Sequence, residues 1–363
     1  MLARLAPPVF GCPPLRALAV SALATLLLVA FSPAPANAQQ SPLQKAKEEY
    51  QFGEYEKAIE LFSEVAQDQG QSEDVRKEAL RYLGRSYIAK NNTDEARDAI
   101  RRLISMEPPL IELNPDIEPP PVMDLYYEVR SDIEGDYAVQ ADPGIQTLAI
   151  IDFTNSSIDD NERWDGLRKG LPAMAINVLN NGTDLKVIER ERIEWLLNEI
   201  ELQRQADVVD QSTAVRTGRL LGANAVVFGS YLVYDQQMII NARVVKVETG
   251  EILLGDQVQG EPDNFFELIQ DLGTKIARSL NTELEQSEAD MEQTNSLDAM
   301  MAYSDGLGLL EDGEYRAAYE KFQQAVEFDP SFRRAERKAE SLRPMLAAAG
   351  AQGSEASSSS MNR

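Results

Sequence analysis

Three acidic side chains, Asp152, Asp159 and Asp160, stand close together where an apolar run gives way to a polar loop. Carboxylate oxygens grouped in this way suit a hard cation. The spacing matches no EF-hand pattern, and Asp152 with Asn155 serves equally well to cap a loop and a helix start. The capping reading is favoured, and no metal ligand set is assigned. A second charged group, Glu189-Arg190-Glu191-Arg192, could do acid–base chemistry or grip a partner. Its place at a strand-to-helix junction favours structural ion pairs, with Glu suited to the start of the helix. Gly218, Gly222 and Gly229 fit neither G-x-G-x-x-G nor a P-loop, so turns and close packing account for them.

The chain's 363 residues include no histidine and one cysteine, Cys12. This excludes a Ser-His-Asp triad, a Cys-His dyad and an imidazole metal site. No catalytic residue, cofactor or metal is assigned, and the protein is expected not to be an enzyme. A hydrolase or ligand-binding enzyme working with carboxylates alone would rest on Asp152 and its acidic neighbours.

Sixty acidic side chains stand against 35 basic ones, a formal charge of −25. That balance argues against binding a phosphate backbone, which needs clustered Lys and Arg, and against docking on an anionic membrane. Proteins or cations are the expected partners. Lys47, Tyr50, Arg81 and Arg85 fall at helix positions that would line a groove and could bind an acidic or extended peptide. Solvated helix faces explain the same residues equally well.

Residues 1–38 read as a secretory signal. Arg4 and Arg16 precede the apolar run Ala17–Phe31, and small residues follow to Ala36-Asn37-Ala38. The run is shorter than the roughly 20 residues that span hydrocarbon as a helix. Cys12 precedes the run, whereas a lipid-attachment cysteine would follow it. Cleavage would remove two arginines and no acid, leaving a formal charge of −27 and no thiol.

Amphipathic periodicity with polar turns predicts paired helices over 44–104 and again over 299–330. Leu83-Gly84, Tyr87, Ala96, Ile100, Leu103 and Pro108 in one unit, and Ala46, Tyr50, Ala58 and Phe62 in the unit before it, resemble tetratricopeptide repeats. Gly306, Leu309, Ala318, Phe322, Ala325 and Pro330 resemble a further one. Each unit places small residues where two helices cross and large ones beside them. So few repeats must cover their apolar faces with other elements. Helix 122–130, after three prolines, is expected to cap the first pair, and 333–346 the last repeat.

Between them, 145–153 reads as a buried strand ending in Asp152. Helix 163–180, strand 185–190, and helices 191–205 and 212–221 follow. Strands 225–234, 238–247 and 251–259 and helix 264–281 complete the domain. The expected fold class is an α/β mixed-sheet central domain with flanking all-α tetratricopeptide hairpins. Leu148-Ala-Ile-Ile-Asp-Phe153, Val187-Ile-Glu-Arg190, Trp195-Leu-Leu-Asn-Glu199, Leu221-Gly-Ala223, Val227-Phe-Gly-Ser230 and Arg243-Val-Val-Lys-Val-Glu-Thr-Gly-Glu-Ile252 occur in an order that resembles the periplasmic domain of the curli secretion channel (CsgG-like) family. The resemblance implies an envelope location, homo-oligomers and a part in secretion or its assembly. The channel of that family inserts two long β-hairpins into the outer membrane. Seven residues, Tyr231–Gln237, separate Ser230 from Met238, too few for the twenty or so that a spanning hairpin needs.

The expected organisation is a signal peptide at 1–38, a helical domain at 39–130, a linker at 131–144 and the α/β domain at 145–281. A linker at 282–297, a repeat at 298–346 and a disordered tail at 347–363 follow. The functional expectation is an exported, periplasmic, non-enzymatic protein, docking other envelope proteins through repeat grooves. Any membrane association would be peripheral or through a partner. The alternative is an outer-membrane pore subunit.

Overall fold

The computed structural model describes residues 41–106, 113–135, 146–158, 161–199, 210–285 and 293–349. The expected signal peptide, Pro108, Asp159, Asp160, the second half of the expected helix 191–205 and most of the tail lie outside them.

The N-terminal helices are α1 (Pro42–Gln51), α2 (Tyr55–Gln67), α3 (Glu73–Ala89), α4 (Thr93–Ser105) and α5 (Pro120–Glu134). Ser41 and Ser72 start α1 and α3 by accepting the backbone N–H of Gln44 and Val75. Gly53, at φ 80°, makes the tight α1–α2 turn. The helices cross through small residues. Ala46, Ala58, Ala79 and Ala96 are fully buried, and a Cβ on Gly84 would lie 3.0 Å from Ile100 Cδ1. Val122, Met123 and Tyr126 of α5 close this core, in the place where a capping helix was expected.

The central sheet is built from β1 (Thr147–Ile150), β2 (Thr154–Asn155), β3 (Lys186–Val187), β4 (Ala225–Tyr234), β5 (Gln237–Lys246) and β6 (Ile252–Gly260). Its order is β3-β1-β4-β5-β6, with β2 beside β4. β1 runs parallel to β3 and β4, whereas β4, β5 and β6 are antiparallel neighbours. The fold is a mixed α/β sheet within a largely helical chain. Helices α6 (Asn161–Asp165), α7 (Leu167–Gly182), α8 (Arg190–Glu199), α9 (Gln211–Leu220) and α10 (Phe265–Ser279) complete it. α7 and α10 cover one face with Leu171, Leu179, Ile269 and Ile276. α8 and α9 cover part of the other with Ile193, Leu196 and Ala214.

Two early strands are shorter than expected. Strand 145–153 breaks after Ile150, where Phe153 N turns to α7, and pairing with β4 resumes only at Thr154–Asn155. Pro172 inside α7 has no N–H for the carbonyl four residues before it. That carbonyl, on Arg168, accepts from Phe153 N instead, at 3.3 Å. The expected strand 185–190 keeps only Lys186 and Val187, and α8 begins already at Arg190.

Helix α11 (Leu297–Glu311) packs on α7, α12 (Tyr315–Phe328) packs on α11, and α13 (Arg333–Ser341) packs on α12. Their core is continuous with that of the sheet, from Leu148 through Met300 and Tyr303 to Phe322 and Leu342. The contact is close at Gly170, whose N–H donates to Ser304 Oγ at 2.7 Å. α11 and α12 cross at Gly306, where a Cβ would lie 2.6 Å from Cε1 of the fully buried Phe322. Gly306→Ala is expected to destabilise the chain by about 1–3 kcal/mol through overpacking, read as a lower urea midpoint. Gly308→Ala is the control: its new Cβ would have nothing nearer than Lys169 Cε at 3.8 Å, so it should be neutral or slightly stabilising.

Candidate functional site: a buried charge cluster between helices and sheet

The end of β1 delivers Asp152 to the seam where α7, α8 and α11 meet. Lys169 of α7 donates to Asp152 at 3.1 Å and pairs with Glu311 at the end of α11. Arg190, 5% exposed at the start of α8, approaches Glu194 at 3.1 Å and Asp152 at 3.5 Å, and also pairs with Glu311. The cluster joins elements far apart in sequence around two cations.

A second set of pairs runs beside it. Lys338 of α13 donates to Glu191 at 2.5 Å and to the Pro115 carbonyl at 3.0 Å. Arg334, one turn earlier, donates to Asp116 at 3.1 Å. The Tyr127 hydroxyl of α5 donates to Glu189 at 3.1 Å, and its ring lies 5.8 Å from that of Trp195. The four-residue charged word therefore sends Glu189 to α5, Arg190 to α11 and Glu191 to α13, fixing both helical segments to one helix of the sheet domain.

The electrostatics follow from burial and from the neighbouring charges. Burial alone would raise Asp152, but Arg190 and Lys169 beside it bring it below the usual carboxylate range. Burial would likewise raise Glu191, yet Lys338 and Arg334 bring it down to about 2. Lys169 and Arg190 lose charge preference on burial and regain more from Asp152 and Glu311, so both stay charged. Asp152, Glu194 and Glu311 gather around Lys169 and Arg190. At Glu194 burial, with Asp152 and Glu311 close by, outweighs Arg190 and pushes it up to about 7.

Oxygens of these three carboxylates lie within 4.8 Å of one another, close enough to share a metal ion. The donor set does not fit one, because Lys169 and Arg190 already occupy those oxygens. A divalent ion would have to displace two buried cations. Chemically, the arrangement can hold one proton near neutrality, on Glu194, beside the charged Asp152, Lys169 and Arg190.

Of the acids singled out in the sequence, Asp152 is thus the hub of an ion network. The four groove residues lie apart from it. Lys47 pairs with Glu78. Tyr50 is stacked edge-on between Tyr55 and Tyr82, at 5.5 and 5.1 Å. Arg85 donates twice to Glu118, both at 2.7 Å, and Arg81 Nε lies 3.4 Å from the same carboxylate, which is 1% exposed. Arg81 and Arg85 are thus taken up by the chain's own Glu118, in the turn before α5. Sequence reasoning missed Lys169, Glu194, Glu311, Arg334 and Lys338. The one available signal was α13 itself, where Arg334 and Lys338 share a face with Ala335 and Ala339 in an otherwise polar helix.

A family model described as "Curli production assembly/transport component CsgG" matches residues 138–239. The match includes Asp152, Lys169, Arg190 and Glu194, whereas Glu311, Arg334 and Lys338 lie beyond it. No curated protein matches the chain. Among solved structures, the chain is similar to the LpoB C-terminal domain from Salmonella enterica, with 21% identity over 36% of this chain and 91% of that one, at a TM-score of 0.25. It is also similar to lipoprotein GNA1162 from Neisseria meningitidis, with 16% identity over 32% of this chain and 79% of that one, at a TM-score of 0.25. Among the described residues, no helix is long and apolar enough to cross a membrane.

Proposed function

We propose that this chain is an exported, non-enzymatic protein of the cell envelope. In this reading, a CsgG-like sheet domain carries two tetratricopeptide-like helical segments as docking surfaces for an envelope or secretion assembly. The observation that carries it is the family-model match over residues 138–239, which hold β1 to β4 and whose charged residues are clamped to helices on either side. The clamp supports a scaffold, since it fixes the relative positions of the surfaces the helices present. It also supports a role without chemistry, because its groups are spent on one another.

The pore reading is less well supported. β4 and β5 are joined by Asp235 and Gln236 alone, both with positive φ, in a two-residue hairpin turn. That leaves no room for a spanning hairpin at this connection.

Two measurements test the proposal. On cell fractionation, the processed chain should leave with the periplasm or the outer-membrane wash and be released by carbonate. A photo-reactive residue at Phe52, which is 80% exposed on the α1–α2 turn, should give a discrete adduct with another envelope protein. Carbonate-resistant insertion with ion conductance in a planar bilayer would reject the scaffold in favour of the pore, and a cytoplasmic chain would reject both.

A further inference from the structure

β3 is an outermost strand of the sheet, and only one of its sides is used. Lys186 N donates to the Gln146 carbonyl at 3.0 Å and Ile188 N to the Leu148 carbonyl at 2.8 Å, both toward β1. Backbone groups alternate sides along a strand, so the N–H and C=O of Val187, between them, face away from β1. Among the described residues no strand pairs with that side. An unpaired edge of this kind is a template for a further strand.

The edge opens on a cleft of about 390 Å³, which Val187 lines together with α7, the start of α8, the segment before α5, and α13. Asn177, Asn180 and Asn181 of α7 line it, and Gln293 joins them. Among the described residues, none of these four carboxamides has a hydrogen-bond partner. Asn177 Nδ2 is also shielded from solvent, and a turn about χ2, a soft torsion, would bring it to an acceptor in the cleft. A carboxamide carries a donor and an acceptor, as a peptide group does. Asn177 and Asn181 are one helical turn apart, about 6 Å along the axis. Alternate residues of an extended chain are about 6.7 Å apart. The two amides therefore match the spacing of peptide groups along one side of an extended chain whose other side pairs with Val187.

The charged side chains of the cleft select neither sign. Arg190, Arg334 and Arg337 balance Asp116, Glu189 and Glu191. The acids are already held: Asp116 by Arg334 at 3.1 Å, Glu191 by Lys338 at 2.5 Å, and Glu189 by the Tyr127 hydroxyl at 3.1 Å.

We propose that this cleft takes an extended, uncharged peptide segment as an added strand on β3, gripped through its backbone. A second copy is not the occupant. Val187 is only 7% exposed, and the same strand of another copy is recessed as deeply. No aromatic side chain lines the cleft, so a sugar ring has nothing to stack on.

The inference deepens the scaffold reading by giving the sheet domain a docking site of its own, and rests on that reading for the class of partner. The two tests fail separately, because a Phe52 adduct can form whether or not the peptide binds. The full mature chain is titrated, by fluorescence anisotropy, with a labelled, end-capped hexapeptide of alternating Thr and Val. Saturable binding is expected, with little dependence on salt. Replacing the two central peptide N–H groups by ester oxygens should weaken it at least about tenfold, and so should the double variant Asn180→Ala with Asn181→Ala. Both asparagines are exposed, and circular dichroism melts check that the variant folds. Gln259→Ala, at an exposed position on the far edge strand β6, should bind as the wild type does. Hydrogen exchange followed by NMR should show the Val187 amide protected at least about tenfold more in the complex, as a new ladder bond requires. No saturation up to millimolar peptide, equal affinity for the ester peptide, or an unprotected Val187 amide in the complex overturns the assignment. So does saturable binding of an N-acetylglucosamine oligomer that the double variant abolishes.

Discussion

Arg190→Ala is expected to cost about 3–5 kcal/mol of folding stability, the range for removing one partner from a buried ion pair. The guanidinium stands against Asp152, Glu194 and Glu311 at once. Removing it takes a cation from the buried Glu194 and leaves the half-buried Asp152 and Glu311 to Lys169. The loss should fall on the docking of α11, since Glu311 is held to the sheet domain by Arg190 and Lys169. Limited proteolysis of the variant should therefore release the C-terminal helices before the central sheet is cut. Arg190→Lys should recover only part of the loss, because a single ammonium cannot reproduce the planar fork. In a double-mutant cycle, Arg190→Ala with Glu311→Ala should be less than additive by 1 kcal/mol or more. Additivity within about 0.3 kcal/mol would mean that the two side chains act independently and that the cluster is no clamp.

The parts of this architecture legible in the sequence are those fixed by local patterns. The antiparallel strands 225–234, 238–247 and 251–259 were readable within a residue or two, because alternating apolar residues are bounded by turn residues at Asp235-Gln236 and Thr249-Gly250. Small residues at helical spacing, Gly84 with Ala96 and Gly306 with Ala318, gave the crossing points of the helix pairs. The site was not legible, because its pairing is long-range: Lys169 and Arg190 meet Glu311 at separations of 142 and 121 residues. Asp152 was singled out for its place just beyond a strand's carboxyl end, but as a loop cap or cation ligand and not as an ion-pair partner. The charge facing it could not be found that way. Nor could the early break in β1, which depends on a proline in another element freeing the Arg168 carbonyl.

Glu194→Gln should make the chain more stable at pH 8 and leave it nearly unchanged at pH 5. The Glu194 carboxyl is raised from 4.5 to about 7, first by burial and then by Asp152 and Glu311. The folded chain therefore keeps a proton there that the unfolded chain has already released. Stability from such a group is complete below about pH 4.5 and lost as the pH rises through about 7. In the wild type this amounts to a fall on the order of 2–3 kcal/mol between pH 5 and 8. Asp152 and Glu191 act in the opposite window: both are lowered, so their contribution is present above the ordinary carboxylate range and disappears in acid, toward about 2 for Glu191. The two windows together place the optimum near pH 5. The assignment is unusually clean because no histidine titrates in this interval. Among the described residues Asp124 on α5, raised by burial to about 6, is a second carboxyl that does; it is exposed, so its share is the smaller, and Asp124→Asn separates the two. Urea denaturation of wild type, Glu194→Gln and Asp124→Asn at pH 5, 6, 7 and 8 measures the difference. Parallel pH profiles for wild type and Glu194→Gln would show that no proton is held between the helices and the sheet. A profile flattened by Glu194→Gln and not by Asp124→Asn would show that the folded chain holds its proton at Glu194, beside Arg190.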